Sequence, residues 1–527
     1  MPNLNLPYAE ASRILTSMSL EQKIGQLVIA SIEVTCMDQR TRDFLQKYCI
    51  GNVILFGKNC YDRRQLALLT QSIQDIAIAA TGVQSLLSID QEGGRVTRIR
   101  RGATVFPSAM AVTAAGNPEL AYQAGFAMGQ ELRALGICHN LAPVLDCNMY
   151  TEQLFPNNRS YGFTPEQVTE YAIQAARGMQ DAGILACGKH FPGQGHGAGD
   201  THFDFVVHPD SLDEIMTRLT PFRAAMQQGL WSVMSSHSCY PALDSSGLPA
   251  TLSSEILQNL ARKKLGFDGL IVSDDILMAA IEQKFGAPEG AMMALQAGCD
   301  MVIIGNGGDN ANPDGLDVQP PIVEHLVQAA VSGRLSMQRI DESVLRVLAV
   351  KLAMGDMRPQ ANVTDMDWSE HEVLSQTLAD RASHIVYSHP DSLPVPEGSL
   401  FLGRRSQARL GVEEGDRLFE SFAELAASSL LGEAAEFDMF PDLPVLAPRI
   451  RNAPAVVFSV TNREEYQSLL PSLKEIRTLA RKLIVVCLDV PQTVEELDSP
   501  DCVLVTYDQT IHSAHAAIRM LKGEGLC

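Results

Sequence analysis

Short apolar runs alternate with amphipathic, helix-like segments over the first two-thirds of the chain. Runs rich in Val, Ile and Leu begin at Gln26 (QLVIA), Asn52 (NVILF), Ser85 (SLLSID), His139 (HNLAPVLD), Ile184 (ILACGKH), Trp231 (WSVMSSH), Gly269 (GLIVSDD) and Asp300 (DMVIIGN). Each has the length and β-branched content of a buried strand. Between them lie segments of helical period, such as Pro118 to Leu135 and Pro288 to Ala297. Such regular alternation predicts an α/β fold, a (β/α)8 TIM-type barrel over residues 1–355.

A helical stretch from Glu342 to Leu352 is followed by GDMRPQANVTDMDWSE, whose Gly, Pro, Asn and Asp content reads as a linker over residues 356–372. Further strand candidates start at Leu400 (LFLG), Ala455 (AVVFSVT), Leu483 (LIVVCLDV) and Val503 (VLVTY), with a helical segment from Glu464 to Lys482. They predict a smaller open α/β sandwich domain over residues 373–527, with a mostly parallel sheet. Neither a G-x-G-x-x-G after a strand nor a Walker lysine occurs there, so nothing in it points to a nucleotide.

Composition narrows the possible partners. A formal net charge of −21 argues against nucleic acid or an anionic membrane, both of which demand clustered Lys and Arg. No apolar run is long enough to span a bilayer, and the first residues lack the basic-then-apolar order of a signal peptide. The 11 cysteines contain no C-x-x-C pair, which favours a reducing compartment. These features predict a cytoplasmic protein, a monomer or homodimer.

Polar residues sit where a barrel keeps its chemistry. Asp90, Asp146, His190, His237 and Asp274 all fall at the carboxyl ends of predicted strands, the rim on which barrel active sites are built. The densest stretch is KHFPGQGHGAGDTH, Lys189 to His202. Its Asp200-Thr-His202 triplet sets a base close to a carboxylate able to orient it, a pairing suited to proton transfer near neutral pH. SDD, from Ser273 to Asp275, offers Asp274 to the barrel mouth, while Asp275 is placed to cap the helix that follows. In DQEGGRVTR, Asp90 and Arg98 could grip hydroxyls, and Gly93 and Gly94 permit the turn. Histidines 190, 196, 202 and 208 recur every six residues. Zinc motifs use tighter spacings, so no metal or other cofactor is expected.

At these residues the chain resembles glycoside hydrolase family 3, in its β-N-acetylglucosaminidase branch. The K-H-F-P-G-x-G-x-x-x-x-D-x-H segment matches Lys189 to His202, and D-Q-E-G-G-R-V-x-R matches Asp90 to Arg98. APVLD at Ala142, NRSYG at Asn158, the SHSCYP stretch at Ser236, SDD at Ser273 and AGCDM at Ala297 follow in order. One departure is Gln194, where the family usually has His.

The resemblance implies a carbohydrate substrate and a retaining double displacement. Asp274 would be the nucleophile, His202 the acid/base and Asp200 its orienting partner. Asp90, Arg98, Arg159, Lys189, His190 and His237 would bind the sugar. The implied activity is exo-β-N-acetylglucosaminidase acting on cell-wall fragments. Alternatives are a phosphorylase using the same residues, a non-catalytic N-acetylglucosamine sensor, and a metal hydrolase.

Overall fold

The computed structural model describes residues 6–149, 157–195, 206–305, 315–405, 421–494 and 500–524. Its first part is a closed barrel of parallel strands in sequential order. These are β1 (Val28–Ser31), β2 (Asn52–Leu55), β3 (Leu86–Ile89), β4 (His139–Asn140), β5 (Leu185–Phe191), β6 (Ser232–Ser235), β7 (Leu270–Asp275) and β8 (Met301–Ile304). The barrel closes where Val28 pairs with Val302. All eight runs read from the sequence are therefore strands. The β4 run is much shorter than expected, because Pro143 has no N–H to give the ladder; pairing resumes only as an isolated bridge from Val144 to Lys189.

Strand side chains alternate between two cores. Ile29, Leu86, Leu185, Cys187, Met234, Leu270, Val272, Met301 and Ile303 fill the barrel interior. Their neighbours Val28, Ala30, Leu87, Ile271 and Val302 face the surrounding helices. A period of two, continued to the strand ends, gives Asp90, Lys189 and Asp274 the same phase as the interior residues before them.

The helix Met337–Met354 covers the amino-terminal end of the barrel, with Val347 and Val350 packed into the interior core. Lys351 on this helix is buried and donates to Gln26 Oε1 at 2.7 Å and to the Gly51 carbonyl at 2.9 Å. At the start of β8, buried Asp300 is ringed by Arg262, Arg339 and Arg346.

The segment expected to be a linker is fastened to the barrel. Met357, Val363 and Trp368 are buried, and Arg63 stacks on Trp368 while donating to the Met366 carbonyl at 2.6 Å. The helix Ser369–Ala382 then lies on the barrel, with Ser375 donating to Val105 O at 2.8 Å and His371 paired with Glu131 at 2.7 Å.

The second domain is one sheet between helical layers, in the order β11-β10-β12-β13-β14-β9. Here β9 is His384–Ser388, β10 Leu400–Arg404, β11 Glu433–Phe437, β12 Val456–Val460, β13 Leu483–Cys487 and β14 Cys502–Val505. All pairs are parallel except β9 with β14. The two faces carry separate cores, Val456, Phe458 and Val485 on one side and Val457, Ile484 and Val486 on the other. The strands read from the sequence are the four inner ones. The two missed strands, β9 and β11, are the edges, where half-exposed positions break the apolar run.

Burial pushes the Lys351 ammonium down to about 7, from the usual 10.5. Between those values the unfolded chain holds a proton that the folded chain lacks, so stability from this group rises with pH across that window. Relative to Lys351→Met, the wild type should gain about 3 kcal/mol between pH 7 and 9.5 in urea unfolding. Parallel curves for the two proteins would refute this.

Candidate active site

The rim at the carboxyl ends of the strands is organised by one buried charge network. Lys189, at the end of β5, places Nζ 2.7 Å from Asp90 Oδ1 and 2.6 Å from Glu92 Oε1. Arg159 holds the same Glu92 carboxylate with two parallel bonds, Nε to Oε2 at 2.8 Å and Nη2 to Oε1 at 2.7 Å. Arg98 lies on the other side of Asp90, Nη2 to Oδ2 at 3.8 Å, with its guanidinium over the Phe56 ring. Lys189, Glu92, Arg159 and Arg98 are buried; Asp90 is partly exposed.

Charges removed from water survive only when mutually compensated. Burial by itself would raise the Glu92 carboxyl, but Arg159 and Lys189 outweigh it and hold the group well below the usual carboxylate range. Burial would lower Lys189, yet Asp90 and Glu92 raise it instead. Both cations are thus locked in the charged state. Glu92 was absent from the sugar-site candidates read from the sequence, although it is the hub. A count of charges offered the only signal: Arg159 and Lys189 needed a buried anion besides Asp90.

A second carboxylate aligns His190. Asp146 Oδ2 accepts from both the backbone N and Nδ1 of His190, at 3.1 and 2.7 Å, which assigns the Nδ1–H tautomer. Asp146 Oδ1 takes the Gln194 backbone N–H at 2.8 Å. This anchor uses the main chain at position 194, so it does not depend on whether His or Gln stands there.

At the end of β7 the two aspartates have different tasks. Asp275 Oδ1 accepts from Leu277 N at 3.0 Å and from Gly305 N at 2.8 Å, tying β7 to the end of β8. A Cβ at Gly305 would sit 2.4 Å from Asp275 Oδ2, so this contact requires glycine. The helix that follows begins at Ala279 with Met278 in the cap position, so Asp275 closes the turn without being the helix cap. Asp274 is partly exposed, its Oδ1 accepting from Asp275 N at 2.8 Å. Below it in the barrel, burial pushes the Cys187 thiol up to about 12, and Asp90 and Asp274 both add to that shift. Asp90 and Asp274 each follow strand residues of the interior phase, so both belong to the same rim.

His237 is buried with both ring nitrogens engaged, Nδ1 with Thr251 Oγ1 at 2.8 Å and Nε2 with the Asp275 carbonyl at 2.9 Å. These partners make it a brace for the end of β7. Asp200 and His202 lie outside the described residues. Among the described residues, no three His, Cys, Asp or Glu side chains gather as a metal ion would need.

Comparison with known proteins identifies the family and the fold. The glycosyl hydrolase family 3 N terminal domain matches residues 19–350. A beta-hexosaminidase of Thiobacillus denitrificans is 38% identical over 287 residues, covering 53% of this chain and 77% of its own. A solved glycoside hydrolase family 3 beta-N-acetylglucosaminidase from Paenibacillus sp. str. FPU-7 superposes with a TM-score of 0.88 at 30% identity, covering 96% of this chain and 97% of that one. A beta-glucoside phosphorylase shares the two-domain fold, with a TM-score of 0.82 at 21% identity.

Replacing Glu92 by Gln keeps the shape and removes the charge facing two buried cations. Glu92→Gln should lose about 3 kcal/mol at pH 7, as broken buried pairs do. A carboxyl lowered on folding contributes stability above its ordinary value and loses it as pH falls. The difference from wild type should therefore narrow below pH 4.5. Denaturant unfolding at pH 7 and pH 3.5 measures both, and an equal difference at the two pH values would contradict the assignment.

Proposed function

This chain belongs to glycosyl hydrolase family 3, a glycoside hydrolase of the β-hexosaminidase kind, and we propose that it is a retaining exo-β-N-acetylglucosaminidase. The observation carrying this reading is the pairing, on one rim, of partly exposed Asp274 with the buried Asp90–Lys189–Glu92–Arg159 network. A neutral sugar needs dense, charge-assisted hydrogen bonding to its hydroxyls, and a network locked in its charged state supplies that without reorganising.

In the proposed mechanism Asp274 attacks the anomeric carbon and forms a glycosyl ester, while His202 protonates the departing oxygen. His202 then takes the proton from the incoming water, and the ester breaks to release the sugar with its original configuration. Asp200 orients the imidazole and stabilises its protonated form. Asp90, Arg98, Arg159, Lys189 and His190 grip the terminal sugar. His237 holds the backbone of Asp275 and so the direction of Asp274. A histidine acid avoids a second anion beside the nucleophile. The natural substrates we propose are N-acetylglucosamine-terminated cell-wall fragments, met in the cytoplasm. Free thiols at the described cysteines suit that compartment.

Turnover of an aryl N-acetyl-β-glucosaminide and of chitobiose tests the reading. Asp274→Ala should abolish both activities, and His202→Ala should lower chitobiose turnover by about 10²–10⁴-fold. Full activity in either variant would sink it. Product analysis with added phosphate separates the alternatives: free N-acetylglucosamine supports hydrolysis, a glycosyl phosphate makes the protein a phosphorylase, and tight binding without product makes it a sensor.

A further inference from the structure

Among the described residues, the second domain meets the rim where the ends of β13 and β14 approach the two segments that carry the Glu92–Arg159 pair. Just beyond β13, buried Asp489 accepts from Asn157 Nδ2 at 3.2 Å and from Thr493 Oγ1 at 3.1 Å, both on Oδ2. Beyond β14, the Tyr507 carbonyl accepts from Asn158 Nδ2 at 3.3 Å and from Ser108 Oγ at 2.8 Å. The two strand ends are joined to each other through Tyr507 N and the Asp489 carbonyl, 3.2 Å apart. Asn157 and Asn158 are the two residues before Arg159, in the single turn Asn157–Arg159.

The loop carrying Glu92 meets the same strand ends. A Cβ on Gly94 would lie 2.9 Å from Asp508 Oδ1, so the loop backbone rests directly on that side chain. Arg95, also on this loop, offsets part of the burial that raises the Asp489 carboxyl. Two features show how tightly the contact is specified. Asn157 and Tyr507, on the two sides of the contact, both hold left-handed backbone conformations, φ 51° and 58°, which asparagine adopts readily and tyrosine does not. Asp489 is completely buried, and its Oδ1 has no hydrogen-bond partner among the described residues. A buried carboxylate with one oxygen unsatisfied is costly for its own domain. Its bonds to Thr493 and, across the contact, to Asn157 offset part of that cost.

We propose that Asp489 of the second domain is a positioning residue for sugar binding, acting through Asn157 to set the turn that aims Arg159 at Glu92. Through Tyr507 and Asp508 the same domain braces the next residue, Asn158, and the Glu92 loop. The second domain is therefore a working part of the barrel's binding rim. This rests on the reading of Arg159 as a sugar ligand.

The full-length protein tests it, with folding of each variant checked by thermal melting. Asp489→Ala and Asn157→Ala should each raise KM for the aryl N-acetyl-β-glucosaminide about tenfold, the loss of one hydrogen bond's worth of ground-state binding, with kcat changed less than about threefold. The double variant should be no worse than either single one, since both break the same link. Asp489→Asn, which keeps an accepting oxygen, should restore KM to within about threefold of wild type. Ser375→Ala, which breaks a bond between the second domain's leading helix and the barrel away from the turn, should leave KM unchanged. Hydrogen exchange over residues 157–162 reads the positioning without any turnover: it should quicken in Asp489→Ala while the barrel strands stay protected. Unchanged exchange there, an unchanged KM in both single variants, or additive effects in the double variant would overturn the proposal. Absence of turnover in the wild type would overturn the assigned activity instead, leaving the exchange result to decide the positioning.

Discussion

The bidentate pairing of Arg159 with Glu92, with Lys189 set on the same carboxylate, is the interaction on which the rest of the rim depends. Each ion alone would be prohibitively costly at that depth, and together they are tolerable only in one geometry. That geometry brings β5, the loop after β3 and the turn at residues 157–159 to a common point. The network therefore acts less as a source of stability than as a constraint on position.

The remaining rim follows the same logic at lower cost. Asp146 ties His190 and the Gln194 backbone together, while Asp275 and His237 fasten β7 to its neighbours. Each uses a buried polar side chain to hold backbone that leaves the regular ladder at a strand end. At the mouth of the barrel these ties leave Asp274 partly open to solvent, on the same rim as the charge network around Asp90. The double displacement proposed above would use that arrangement, with binding groups fixed in advance and an accessible carboxylate. Far from the rim, the other end of the barrel buries the Lys351 amine, which donates to the Gln26 amide oxygen and the Gly51 carbonyl, and the Asp300 carboxylate, held by three arginines.

The barrel was legible in the chain, because its strands announce themselves by apolar content and its rim residues by position at the strand ends. The interior phase shared by Leu270, Val272 and Asp274 distinguishes the two aspartates of SDD without any coordinates. The edge strands β9 and β11 were not legible, since strands covered on fewer sides carry weaker patterns. His237 shows what the sequence does not carry. Its place beyond β6 suggested a sugar ligand, and the structure adds that its ring nitrogens bond Thr251 and the Asp275 backbone.

The sequence by itself determined the barrel, the two-domain order and the polar motifs at the strand ends, because periodicity and strand-end placement are local properties of the chain. Only the tertiary structure decided who pairs with whom. Glu92 and Arg159 are 67 residues apart, and Asn157 and Asp489 are 332 apart. No local pattern encodes such pairings. They arise when folding removes the groups from water and leaves each charge the one partner that geometry allows.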